Sequence, residues 1–239
     1  MRSEVKQDPP AARPKRLPRA VREQQMLDAA VRVFSRSGYH AASMDEIAEQ
    51  CEVSKPLLYL YLGSKEELFG ACLRREADRL IEALADAVDP ELEPGEQLFR
   101  GLVAFFAFVA EHRESWIVLY QQARSQGGPI VAEVVEVRRM VTAAVAGLVR
   151  ASAPVAGAEG EAGPVLPEQR AAEQRGAEGR GEAVAIAHAL VGGADALADW
   201  VLASSGAEPP ETTARRLMNV FWIGLERRMA GERYTDSSG

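Results

Sequence analysis

The chain has 239 residues, 28 Lys and Arg against 35 Asp and Glu, two cysteines, and 47% hydrophobic but only 6% aromatic residues. A chain of this length can bury a core without staples, and Cys51 and Cys72 build no disulfide framework; His40, His112 and His188 stand too far apart in sequence for a zinc motif, so no metal or other cofactor is expected. Charges and prolines fill the N-terminus where a signal peptide needs an apolar core, and no uninterrupted 18-residue apolar run is expected, which predicts a soluble, cytoplasmic protein without a membrane partner.

Residues 1–18 are rich in Pro, Arg and Lys, lack periodicity and read as a disordered basic tail. Residues 1–22 carry seven basic and two acidic side chains; residues 23–80 are net −3 and residues 81–239 net −9. A basic tail on an acidic body points to nucleic-acid contact by the basic end, with a merely solubilising tail as the plainer reading. From Arg19, the apolar positions Val21, Met26, Leu27, Ala30, Val31 and Phe34 recur at helical spacing up to a stop at Ser37-Gly38. Ser43 with Glu46 reads as a capping box opening a short helix to about Gln50, and after the tight connection Cys51-Glu52-Val53, Ser54 caps another to about Tyr61. Ser64 with Glu67 repeats the box and opens a long helix from Lys65 to about Val88.

Pro90 and Pro94-Gly95 end that helix, and Leu98, Leu102, Phe105, Phe106 and Val109 mark the next. A stretch over about Glu114 to Arg124, the break Gly127-Gly128-Pro129, and a helix from Ile130 to about Ser152 follow. In residues 151–182, Ala, Gly, Glu and Pro dominate and no apolar face can be drawn, which predicts a flexible insertion. Val184 to Ala203 and Pro209 to about Ala230 are two further amphipathic helices. With no strand pattern, the fold class is all-α.

Two short helices joined by three residues and preceded by a third fit the helix-turn-helix module, whose second helix enters the major groove. Here that helix begins Ser54-Lys55-Pro56, and Tyr59 and Tyr61, about 200° apart around it, cannot both face the core. Tyr59 as a packed core residue is the competing reading. Cys51 and Cys72 read as small buried hydrophobes, and Glu66-Glu67 as a complement to the helix dipole.

The stretch from Ile47 to Phe69, IAEQCEVSKPLLYLYLGSKEELF, together with Ala29 to Tyr39, AAVRVFSRSGY, resembles the TetR family of bacterial transcriptional regulators over about residues 19–80. The resemblance implies DNA contacts at Ser43, Ser54, Lys55, Tyr59, Tyr61 and Lys65, with Arg19 and Arg22 as further phosphate ligands; Pro56 joins them from its place near the start of the second helix, where side chains reach base edges. The resemblance also implies a helical ligand-binding and dimerisation domain over 81–239, and hence a double-stranded DNA operator, a second copy of the chain and a small-molecule effector as partners. Two positions depart from the family pattern: Glu52 stands where a glycine is usual, and Leu62 where a phenylalanine is usual. In the second domain, Phe99, Phe105, Phe106, Trp116 and Tyr120 are candidate pocket residues, with a plain core role as the alternative, and Leu190, Leu197, Trp200, Phe221 and Trp222 are candidate dimer contacts. No nucleophile elbow, P-loop, dinucleotide fingerprint or zincin motif occurs, so an enzyme is not expected. The expected function is a ligand-responsive, dimeric repressor. A binding module whose head no longer reads DNA, motivated by Glu52, and an activator of the same fold stand beside it.

Overall fold

The computed structural model describes residues 18–122, 129–152, 167–204 and 208–229. The tail predicted over residues 1–18 lies outside them except for Pro18. Among the described residues all regular structure is helical: α1 (Arg19–Ala41), α2 (Met44–Gln50), α3 (Lys55–Leu62), α4 (Lys65–Ala87), α5 (Pro94–Glu111), α6 (Arg113–Trp116), α7 (Pro129–Ala151), α8 (Pro167–Ala203) and α9 (Pro210–Met229).

The N-terminal helices form because apolar spacing and caps agree. In α1, Met26, Leu27, Ala30, Val33 and Phe34 face inward, and the helix kinks at Gly38, whose φ of 75° suits a residue without Cβ. Tyr39 then folds back on the core, its ring 4.9 Å from Phe69, which meets Phe34 edge-on at 5.0 Å. Ile47 and Ala48 of α2, Leu58 and Leu62 of α3, and Leu68, Cys72 and Leu73 of α4 complete the core of this head. Burial pushes the Cys72 thiol up to about 12, so it is an inert, neutral packing group.

Capping follows the predicted pattern at α4 and departs from it at α2. The Glu67 carboxylate accepts from the Ser64 N–H at 2.7 Å while Ser64 Oγ accepts from the Glu67 N–H at 3.1 Å, a complete capping box. At α2, Ser43 Oγ accepts from Asp45 instead, and Glu46 turns away to pair with Arg36. The better partner for Glu46 is a guanidinium of α1, which sequence spacing alone does not reveal.

Helix α4 belongs to two cores. Its first half packs in the head, whereas Leu80 and Leu84 join a second cluster with Leu98, Leu102, Phe105, Phe106, Val109 and Trp116 of α5 and α6, Leu190, Ala194 and Ala198 of α8, and Leu217 of α9. At the junction lies Glu76, fully buried, with Arg75 Nε donating to it at 2.7 Å and Arg79 at 3.3 Å. Arg75 also reaches Asp28 of α1 at 2.8 Å. A buried carboxylate is tolerable because two guanidiniums neutralise it, and the arrangement ties α1 to α4.

Two predicted boundaries are corrected. The helix expected over Glu114 to Arg124 is α6 followed by a π-helical turn at Ile117–Gln122, and residues 123–128 lie outside the described residues. The insertion expected over 151–182 is helical in its second half, since α8 begins at Pro167; residues 153–166 lie outside the described residues. Glu, Gln, Arg and Ala from Glu168 to Arg175 are strong helix formers, and a helix continuing into a packed segment needs no apolar face of its own. By length and composition alone Gly181–Ala203 is apolar enough to cross a membrane, with mean hydropathy 1.3, although Glu182, His188, Asp195 and Asp199 interrupt it as an apolar run. Its Leu190, Ala194 and Ala198 pack into the second core, and the segment also buries Ala187 and Asp195. Only 28% of the segment's apolar window is buried within the chain, and Val184 and Trp200 on it face outward.

Candidate nucleic-acid interface and cavity

The geometry of the head follows from the turn between α2 and α3. Val53 N–H donates to Ala48 O at 3.0 Å and Glu52 N–H to Glu49 O at 3.0 Å. Closing this turn requires a left-handed residue, and Glu52 takes it with φ of 55°, the one non-glycine at positive φ among the described residues. The departure at position 52 therefore costs backbone strain in a turn that glycine would make without it. Ser54 Oγ caps α3 by accepting from the Leu57 N–H at 3.4 Å, with Pro56 in the first turn.

Helix α3 turns Leu58 and Leu62 inward and presents Lys55, Pro56, Tyr59 and Leu60 to solvent. The packed reading of Tyr59 is corrected, since its side chain is 45% exposed; Tyr61 is the tyrosine that leans on the core, with the Arg19 guanidinium 5.1 Å from its ring centre. Lys55 Nζ donates to Asp45 Oδ2 at 2.9 Å, and this bond holds the ammonium above the usual lysine range. Both partners are exposed, so a phosphate or base edge can displace Asp45 at small cost. Lys65 is differently engaged: it donates to His40 O at 3.0 Å and lies 4.8 Å over the Tyr39 ring, clamping the end of α1 to the start of α4. Ser43 and Ser54 remain exposed at their helix N-termini, and Arg22 is half-buried on α1.

A cavity of about 740 Å³ lies between α4, α5, α7 and α8. Phe105, Trp116 and Tyr120 line it; Phe99 and Phe106 do not, which corrects that part of the predicted set. Phe106 lies 100° further round α5 than Phe105, and Phe99 faces α9, where Arg215 covers its ring at 5.5 Å. Aliphatic side chains that composition did not single out supply most of the wall, among them Leu80, Leu84, Val134, Val141, Leu148 and Val191. Their signal was present in the 134, 137, 141, 145, 148 spacing of α7. Within this apolar wall, Arg138 pairs with Asp195, which is buried, and lies 5.9 Å over Tyr120, itself stacked on Trp116 at 4.8 Å. Trp116 Nε1 donates to Asp199 at 3.2 Å.

The predicted dimer residues separate. Leu190 is 3% exposed and lines the cavity, so it has no surface to offer a second chain, a correction that follows from its position on the inner face of α8. Leu197, Phe221 and Trp222 are half-buried against the second core, Trp222 lying over Gly95, where a Cβ would come within 2.7 Å of its ring. Trp200 is 50% exposed, and Val184 and Val220 also face outward.

The sequence profile described as "Bacterial regulatory proteins, tetR family" matches residues 26–72, and that of "Tetracyclin repressor-like, C-terminal domain" matches residues 94–163. A solved TetR-like transcriptional regulator from Rhodococcus sp. RHA1 is 45% identical, with a TM-score of 0.70 over 88% of this chain and 99% of that one. The chain belongs to the TetR family. Among its curated relatives, the HTH-type transcriptional activator FasR of Mycolicibacterium smegmatis is 40% identical over 106 residues, 44% of this chain and 48% of that protein. The chain spans about half the length of the first curated relatives it matches. The TetR fold is also that of the regulator FadR from Bacillus subtilis, solved with stearoyl-CoA, at 17% identity and a TM-score of 0.62 over 88% of this chain and 99% of that one.

Proposed function

We propose that this TetR-family chain is a DNA-reading transcriptional regulator that works in the cytoplasm as a homodimer and responds to an elongated apolar ligand of fatty-acyl character. The observation that carries this reading is the double membership of α4: Leu68 to Leu73 pack in the head, and Leu80 and Leu84 line the cavity. A ligand that shifts the second half of a rigid helix shifts the head with it, and an effect on DNA follows if the ligand favours one head position over the other. Lys55, Pro56 and Tyr59 present base-reading and phosphate-binding chemistry on one face, with Ser43, Ser54, Tyr61, Lys65, Arg19 and Arg22 around them. The exposed Trp200 and Val220, on α8 and α9, supply the outward apolar surface for a second copy.

An acyl chain suits the cavity because its wall is aliphatic and aromatic with a single ion pair, and the stearoyl-CoA bound to the FadR neighbour gives the chemical class to try first. The test is a mobility-shift titration of DNA flanking the gene, followed by addition of acyl-CoAs of increasing chain length. Sequence-selective binding that changes with chain length supports the proposal. Binding indifferent to sequence removes the DNA reading, and selective binding indifferent to every acyl-CoA removes the ligand. Repression and activation differ in where the operator lies relative to the promoter, and in vitro transcription decides between them; the FasR relative is named an activator.

A further inference from the structure

The large hydrophobic with the highest fractional exposure among the described residues is on α3, the helix proposed above to face DNA. Leu60 is 74% exposed on α3, although Leu58 and Leu62 on either side of it are buried. It lies four residues beyond Pro56, so the two form one apolar stripe on the helix surface, beside a parallel polar stripe of Lys55 and Tyr59. Leu57 and Tyr61 pack against the head core and leave this stripe standing alone. Single exposed leucines elsewhere on a surface need no explanation. On a groove-reading helix, however, the apolar side chain must meet base edges, and the apolar group that the major groove offers is the C5-methyl of thymine.

We propose that Leu60, with Pro56 behind it, contacts the methyl group of a thymine in each operator half-site and so makes an A·T pair a preferred base pair at that position. The inference rests on the DNA reading proposed above and adds to it a residue and the base it selects. A second copy of the chain is the competing occupant of the stripe. Lys55 and Tyr59 beside it argue for DNA, because a cation and a phenol hydroxyl flanking an apolar stripe match phosphates and base edges flanking a methyl group.

The experiment uses the full chain. Operator DNA is first selected from a random pool, and each thymine of one half-site is then replaced in turn by deoxyuridine, which deletes only the methyl. One position is expected to weaken binding about fourfold, the worth of one buried methyl at about 0.8 kcal/mol. Leu60→Ala is expected to abolish that penalty at that position alone, and Leu60→Met, which keeps an apolar arm, to retain it. If no thymine is sensitive, or if the penalty is unchanged in Leu60→Ala, the contact is overturned while DNA reading stands. If selection returns no preferred sequence, the DNA reading falls and the contact with it.

Discussion

Replacing Glu52 by glycine should stabilise the protein, and the size of the gain can be worked from the turn. A residue with a Cβ held at φ of 55° costs roughly 1–2 kcal/mol, which glycine does not incur. Glycine is freer in the unfolded chain and gives back about 0.4–1 kcal/mol. The net expectation is about 0.5–1 kcal/mol, or about 1–4 °C in Tm for a chain of this size unfolding as one unit. Glu52→Ala keeps the Cβ and the strain and should leave stability near that of the parent. Urea or calorimetric melting of the three proteins measures this directly. At low salt, both variants remove the same carboxylate beside α3 and should tighten DNA binding by similar factors, an effect that fades as salt rises. If Glu52→Gly is no more stable than Glu52→Ala, left-handed strain is not what position 52 contributes. Unequal effects of the two on DNA would show that the turn itself moves.

Asp45→Asn removes the carboxylate that holds Lys55 and should tighten DNA binding severalfold at low salt, whereas Lys55→Ala should weaken it by about 1–3 kcal/mol; filter binding at two salt concentrations reads both. In the Lys55→Ala background the gain from Asp45→Asn should shrink, because part of it acts through the released ammonium. Arg138→Ala removes the cation paired with the buried Asp195 and should cost about 1–2 kcal/mol in urea unfolding, discounted for the exposed side of the guanidinium; a combined Arg138→Leu, Asp195→Leu chain should recover most of it. The Ser64 N–H holds the Glu67 carboxyl below the usual carboxylate range. Its capping contribution is therefore present at neutral pH and is lost as pH falls through the lowered value. The difference in Tm between the parent and Glu67→Ala should be full at pH 7 and shrink towards acid; a constant difference would refute the capping account.

Much of the head was legible because its signals are local. Ser54, Ser64, Gly38 and the Cys51-Glu52-Val53 turn act on backbone within a few residues, and apolar spacing of three and four names Met26, Ile47, Leu58 and Leu68 as core without knowledge of what they meet. The unusual residue at 52 was visible as a departure, and its consequence is local too: the turn holds and strain accumulates in one φ angle. The engagement of the exposed charges was not legible. Glu46 chooses Arg36 over its own helix end, Lys55 chooses Asp45, and Lys65 chooses His40 O, each partner lying 10 to 25 residues away.

In the second domain the helical character of most segments and the starts of α5 and α7 were legible, since Pro94, Pro129 and the stripe of α5 act locally, whereas the start of α8 at Pro167 and the π-helical turn after α6 were not. Only tertiary packing decided which apolar residues enclose a cavity and which fill a core. Phe105 and Phe106 are chemically the same and adjacent, yet one lines the space and the other closes the interior, because a turn of 100° points them at different neighbours. The same holds for Leu190 and Trp200 on α8, one turned into the cavity and the other towards solvent. Hydrophobic burial has no direction of its own, so composition and periodicity identify the side chains that must leave water, and the arrangement of the helices determines where each of them goes.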